Sequence, residues 1–168
     1  MGSKELDYQT CLAIMSKIGY AKPTDLQELA FKSAHYGAGA REFIIGTTSS
    51  GKTLIPIVAY LNDLFDSKKA KKMIYVLPYR ALANQKEEDI KSVLGKFDNH
   101  LNIAISTSEY CISDDDIFNG HCDIAIIIYE KAYSFSVKNK NFLPGHQART
   151  NKLFQFLSFS ESSVSRKL

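Results

Sequence analysis

Apolar residues recur at two different periods along this 168-residue chain, and the change of period organises it. Leu6, Leu12, Met15 and Ile18 fall near one face of a 3.6-residue repeat. Residues 5–18 are therefore predicted as an amphipathic helix, which Gly19 ends. Pro23-Thr24-Asp25 opens a second helix, with Asp25 read as its N-cap and Glu28 three positions on. Leu26, Leu29, Ala30 and Ala34 form its predicted buried stripe, and Gly37 and Gly39 break it. Beyond that point, short apolar runs alternate with helical stretches. Strands are predicted at Glu42–Ile45, Met73–Leu77, Ile103–Ser106 and Asp123–Ile128. Helices are predicted at Thr53–Phe65 and Arg80–Leu94, with a shorter polar one at Asp114–Phe118, where Ser113 and three aspartates read as an N-capping cluster. A continuous run such as Ile124-Ala125-Ile126-Ile127-Ile128 suits a parallel strand buried on both faces. The β-α-β-α order predicts a doubly wound α/β fold. Pro56 sits early in its helix, where a missing N–H costs little.

Composition narrows the class without deciding it. The chain is long enough for one domain with a sizeable core. Its formal net charge is +3, mildly basic and compatible with a nucleic-acid partner. No apolar run reaches membrane-span length, and Lys4, Glu5 and Asp7 interrupt any signal-like N-terminus. Cys11, Cys111 and Cys122 are widely spaced and the four histidines show no ligand spacing, so reduced thiols in a cytoplasmic protein are the simpler reading.

The chemistry is concentrated in Gly46-Thr47-Thr48-Ser49-Ser50-Gly51-Lys52-Thr53, a complete G-x-x-x-x-G-K-T phosphate loop. The apolar Phe43-Ile44-Ile45 before it and the helical run after it supply the strand–loop–helix setting that the motif needs. Glycines let consecutive N–H groups turn inward around an anion, and the helix start adds its positive end. Lys52 would place its ammonium on the β- and γ-phosphates of ATP, and the Thr53 hydroxyl would ligate Mg²⁺.

Four further segments bear on ligands. The carboxamide of Gln27 matches the paired donor and acceptor on one edge of adenine, although a solvated glutamine at a helix start fits equally well. Pro78-Tyr79-Arg80-Ala81-Leu82-Ala83-Asn84-Gln85 follows a strand and opens a helix, a place for a nucleic-acid phosphate or simply an exposed cap. Tyr129-Glu130-Lys131 ends the most apolar strand, at the edge of an α/β sheet where ligands bind. Lys68, Lys69, Lys71 and Lys72 are a basic run, read as a solvated loop before an electrostatic contact with nucleic acid.

The order and spacing of these segments resemble the first motifs of superfamily 2 helicases of the DEAD/DEAH-box group. Gly19-Tyr20-x-x-Pro23-Thr24-x-x-Gln27 is similar to the Q motif that reads adenine, and Thr48-Ser49-Ser50-Gly51-Lys52-Thr53 to the motif I variant of the DExH branch. Pro78-x-Arg80-Ala81-Leu82-Ala83-x-Gln85 resembles motif Ia, and Tyr129-Glu130-Lys131 resembles motif Ib with Ile128 where the family has threonine. The resemblance implies the first RecA-like domain of a motor that couples ATP, with Mg²⁺, to DNA or RNA. It assigns Gln27, Gly46, Thr47, Thr48, Ser49, Ser50, Gly51, Lys52 and Thr53 to the nucleotide, with Lys52 and Thr53 as the catalytic pair. Pro78, Arg80, Ala81, Gln85, Tyr129, Glu130 and Lys131 fall to the nucleic-acid backbone, and Tyr8 is the candidate to stack on adenine.

The same resemblance calls for an apolar strand ending in D-E-x-H or D-E-A-D, and no Asp-Glu pair follows Lys131. Residues 144–168 are serine-rich with Glu161 their one acid. The sequence thus predicts a helical Q-motif region over residues 1–40, a partial RecA-like domain over 41–143 and a loose tail from 144. The expected protein is a truncated ATP-binding piece of a helicase that does not turn over ATP rapidly, with an unfinished sheet edge open to association. A non-enzymatic nucleotide- or nucleic-acid-binding fragment is the alternative, and another small phosphate-loop enzyme a weaker one.

Overall fold

The computed structural model describes residues 4–36, 44–47, 50–67, 72–78, 80–97, 100–107, 111–138 and 154–158. Two helices lead the chain: α1 (Tyr8–Lys17) and α2 (Asp25–Ser33). A two-residue antiparallel pair, β1 (Lys4–Glu5) with β2 (His35–Tyr36), brackets them. The α/β unit then runs α3 (Leu54–Ser67), β3 (Lys72–Leu77), α4 (Arg80–Gly95), β4 (Ile103–Ser106), α5 (Asp114–Asn119), β5 (Ile124–Ile128), α6 (Tyr129–Lys138) and β6 (Phe154–Ser158).

The four longer strands form one sheet in the order β4-β5-β3-β6, and every pairing is parallel. Every residue of β5, and β3 from Met73 to Leu77, is buried, as continuous apolar runs demand. Alternate residues face opposite layers. Met73, Tyr75, Leu77, Ile124 and Ile126 join the core built with α1, α2, α3 and α4. Ile74, Val76, Ala125 and Ile127 pack with Ile117, Ala132 and Phe135 of α5 and α6 on the other side. Helices on both faces of a parallel sheet are the arrangement the β-α-β-α order predicts.

The structure departs from the sequence reading at several elements. Ile44–Thr47 carries no ladder pairing, so the described part of the predicted Glu42–Ile45 strand is irregular; Glu42 and Phe43 lie outside the described residues. Ile44 still packs against the core while Ile45 is exposed. Tyr129–Lys138 is a helix that the sequence reading ended as a strand mouth. Residues 154–158, inside the segment read as a loose tail, pair with β3. The serine-rich composition of the surroundings masked the short apolar stretch Phe154-Gln155-Phe156-Leu157. The remainder of 144–168, with Gly37, Gly39 and Lys68, Lys69 and Lys71, lies outside the described residues. Pro56 falls at the third position of α3, within the first turn.

Candidate functional site

The phosphate-loop segment is tied to α2. Thr24, not Asp25, is the N-cap of that helix, and Gln27 completes a reciprocal capping box. The Thr24 hydroxyl oxygen accepts the Gln27 N–H at 3.3 Å, and Gln27 Oε1 accepts the Thr24 N–H at 2.9 Å. Each side chain then makes a second bond, into the loop. The Thr24 hydroxyl donates to the carbonyl of Ser50 at 2.9 Å, and Gln27 Nε2 donates to the carbonyl of Gly51 at 3.0 Å. Gln27 is 3% exposed, which removes the reading of a solvated helix-start glutamine. Its carboxamide keeps one N–H and one lone pair beyond these bonds. Leu29, predicted in the buried stripe of α2, is instead 63% exposed, and Gln27 takes the inward position.

This link explains a glycine. Gly51 has φ +77°, and a Cβ there would stand 2.3 Å from Gln27 Nε2. Any larger residue meets both a left-handed backbone and a fixed, buried carboxamide. Gly46 is restricted by space alone: its added Cβ would lie 2.7 Å from Leu26 Cδ2 and from Ser50 Oγ.

Within the loop, Lys52 Nζ donates to the carbonyls of Gly46 at 2.7 Å and Thr47 at 2.5 Å. Ser50 Oγ also donates to the Thr47 carbonyl, at 2.7 Å. The chain therefore curls around its own ammonium. Leu54 N–H bonds to Gly51 O and Ile55 N–H to Lys52 O, both at 3.2 Å, which carries the loop directly into α3. Thr53, half-buried, occupies the turn before that helix. Thr48 and Ser49 lie outside the described residues.

Beside the N-terminal helices lies an open cleft of about 440 Å³, lined among others by Tyr8, Met15, Tyr20, Lys22, Pro23 and Glu28. Tyr8 is fixed there: its hydroxyl donates to Glu28 Oε1 at 3.3 Å, and Lys32 Nζ sits 4.9 Å from its ring centroid. Lys32 also bridges Glu28 at 2.5 Å, and that bond with the adjacent positive charge holds the Glu28 carboxyl below its ordinary range.

The second group of predicted residues gathers along the sheet's C-terminal edge. Leu77 pairs with Ile128, and Ser106 with Ile127, so the segments after β3, β5 and β4 emerge side by side. Pro78 and Arg80 leave β3 and start α4, with Ala81 and Gln85 in its first turns and Arg80 and Gln85 exposed. Tyr129 and Glu130 are exposed at the start of α6. Lys131 is different. Its Nζ lies 2.5 Å from Asp114 Oδ2 and 3.0 Å from Cys111 Sγ, and its side chain is only 16% exposed. The other oxygen of Asp114 accepts the hydroxyl of Ser106, a residue wholly buried at the end of β4. Asp114 is thus more than part of a capping cluster, and the Ser113 side chain makes no cap bond. These bonds outweigh partial burial and raise the Lys131 ammonium's pKa. Lys72, from the basic run, donates to the carbonyls of Gly120 and Cys122 and serves the fold.

Sequence reasoning missed the roles of Ser106 and Asp114, which no spacing links. It missed Thr24 too, although Thr24-x-x-Gln27 is itself a capping-box signature. No group of three or more potential ligands among His, Cys, Asp and Glu occurs among the described residues, and no helix there is long and apolar enough to cross a membrane.

Comparisons with known proteins converge. The chain is 39% identical over 85 residues to the ATP-dependent DNA helicase Hel308 of Methanocaldococcus jannaschii, a match covering 48% of this chain and 7% of the relative. It is 35% identical over 79 residues to the ATP-dependent RNA helicase dbp3 of Schizosaccharomyces pombe, covering 45% of this chain and 13% of the relative. The yeast DEAD-box splicing factor Prp28 shares the fold at a TM-score of 0.57 and 18% identity, over 82% of this chain and 34% of that one. The sequence model of the DEAD/DEAH box helicases matches residues 24–157, from the Thr24 cap into β6, and this chain belongs to that family.

Proposed function

We propose that this chain is the nucleotide-binding, strand-contacting first part of an ATP-dependent helicase motor, and that by itself it binds Mg-ATP without turning it over rapidly. The observation that carries the reading is the bonded path from α2 through Gln27 and Thr24 to the loop that wraps Lys52. The donor chemistry fits a triphosphate. The Lys52 ammonium is held by two carbonyls, and phosphate oxygens are stronger, charged acceptors that would take their place. The start of α3 adds the positive end of its dipole, although the Leu54 and Ile55 N–H groups are already bonded to the Gly51 and Lys52 carbonyls and Pro56 has no N–H. Thr53 offers one hydroxyl oxygen, the ligand type Mg²⁺ prefers, with phosphates completing its shell. Bound Mg²⁺ neutralises phosphate charge; this chain's part is to hold the phosphates, and the cleft beside Tyr8 is the place for the base.

Arg80, Gln85, Tyr129 and Lys131 share the edge from which a nucleic-acid backbone would be contacted. Slow turnover follows from the sequence, because no Asp-Glu pair follows Lys131 to orient the ion and activate water. Thermal unfolding with and without Mg-ATP tests the proposal. At a ligand concentration of 100 Kd, stabilisation is about 2.7 kcal/mol. The wild-type midpoint should rise and that of Lys52→Ala should stay put; equal shifts in both would remove the loop from the reading. Strand-stimulated ATP turnover by this chain alone would overturn the claim of slow hydrolysis.

A further inference from the structure

We propose that Asp114 is a positioning residue that holds Lys131 back from nucleic acid, so that a strand must compete with this carboxylate for the ammonium. The inference rests on the strand-contacting reading above and extends it to a contact on the page. Lys131 lies in the first turn of α6, at the edge where β3, β4 and β5 all end, yet its Nζ is turned onto Asp114 Oδ2 at 2.5 Å and Cys111 Sγ at 3.0 Å. Asp114 is itself anchored, since its second oxygen takes the hydroxyl of buried Ser106. The pair is partly shielded, at 16% and 25% side-chain exposure, so it is screened less than a surface bridge. A phosphodiester offers Lys131 the same kind of acceptor, a singly charged oxygen pair. The exchange leaves a partly shielded Asp114 carboxylate without its ammonium, and that charge also repels the incoming phosphate, so the strand binds less tightly than an unrestrained Lys131 would allow. The neighbouring acids do not share the role: Asp115 is exposed, and Asp116 faces His121 at 3.5 Å.

The test uses the 168-residue chain and fluorescent single-stranded oligonucleotides, thymidine and uridine homopolymers, titrated at several salt concentrations. Asp114→Asn keeps the shape and a hydrogen bond with Ser106 but removes the charge. It should bind several-fold more tightly, and the slope of log K against log salt should steepen by about 0.7, one more phosphate neutralised on a single strand. Asp115→Asn makes the same charge change without freeing Lys131, so its slope should match wild type. In a Lys131→Met background, Asp114→Asn should change neither affinity nor slope. An equal gain with and without Lys131 would reduce the effect to net charge and overturn the proposal, as would an unchanged slope. A second measurement needs no nucleic acid: acylation of the Lys131 amine, followed by peptide mass spectrometry, should speed up in Asp114→Asn and not in Asp115→Asn. Faster acylation without strand binding by any variant would sink the nucleic-acid reading and the competition with it, leaving only the pair's geometry. Unchanged acylation would show that Asp114 does not restrain Lys131.

Discussion

Two residues show how one side chain serves fold and site together. Gly51 is fixed by the carboxamide it faces. Gly51→Ala must hold a β-carbon at φ +77° and displace Gln27 Nε2 from 2.3 Å away. The backbone alone costs about 1–2 kcal/mol, so denaturant titration should show at least that loss, together with loss of the Mg-ATP stabilisation. An alanine variant as stable as wild type would mean that Gln27 swings aside freely. The cysteines give a second reading at this scale. Burial, with the charge of Asp7 nearby, pushes the Cys11 thiol from about 9 to about 12, and burial raises Cys122 as well. Both stay protonated in the folded chain where the unfolded chain releases protons. The unfolded state then binds fewer protons, so stability falls as pH rises through the ordinary thiol range above 9. Cys11→Ala should flatten that alkaline decline, measured as the unfolding midpoint against pH. Under native conditions a maleimide should label exposed Cys111 and leave Cys11 and Cys122 untouched until the chain unfolds.

At the scale of elements, legibility followed periodicity. Continuous apolar runs located β3 and β5 to within a residue, because a strand buried on both faces admits little else, and the shorter run Ile103-Ala104-Ile105 located β4, whose burial alternates. The G-x-x-x-x-G-K-T spacing was legible as a motif, and in the fold its Lys52 bonds to the Gly46 and Thr47 carbonyls and its Gly51 faces Gln27. What escaped were features set by neighbours distant in sequence. Ile44-Ile45 has the composition of a strand but no ladder partner. Gln27 read equally as an adenine contact and as a solvated helix-start residue, and only the fold sets it against Gly51; Ser106 likewise meets Asp114 only after β4 and α5 fold together. The α2 cap joins both kinds, being visible in sequence as Thr24-x-x-Gln27 while its bond to Ser50 is not. Thr24→Ala removes both the cap and that tether. Loss of the cap costs about 1 kcal/mol, and loss of the tether should loosen the loop. Thr24→Ser, which retains the hydroxyl, should restore both stability and Mg-ATP stabilisation; rescue of stability without rescue of binding would show that the tether to Ser50 is irrelevant to the loop.

For the whole molecule, the decisive question is how the parallel sheet is bounded on the β3 side. β3 is flanked by β5 and by β6, and its residues Met73 to Leu77 are all at most 2% exposed. A strand so apolar is a poor edge, because an unpaired ladder beside a hydrophobic face invites pairing with another chain. β4, at the opposite side, alternates half-buried and buried positions and tolerates its place better. β6 therefore protects the fold although its sequence neighbourhood is serine-rich and outwardly tail-like. Ending the chain at residue 150 should strip β3 of its partner while leaving the phosphate loop, α2 and the Lys131–Asp114 pair intact. Two changes should follow: a lower unfolding temperature, and concentration-dependent self-association in sedimentation velocity at concentrations where the full chain stays monodisperse. A charged residue at the newly exposed edge, such as Val76→Lys, would bury an ammonium and is no control. The useful comparison is a shortened chain ending at residue 160, which keeps Phe154–Ser158 and should sediment like wild type. Association by both truncations alike would assign the effect to residues after β6, and association by neither would show that β6 is dispensable as a cover for β3.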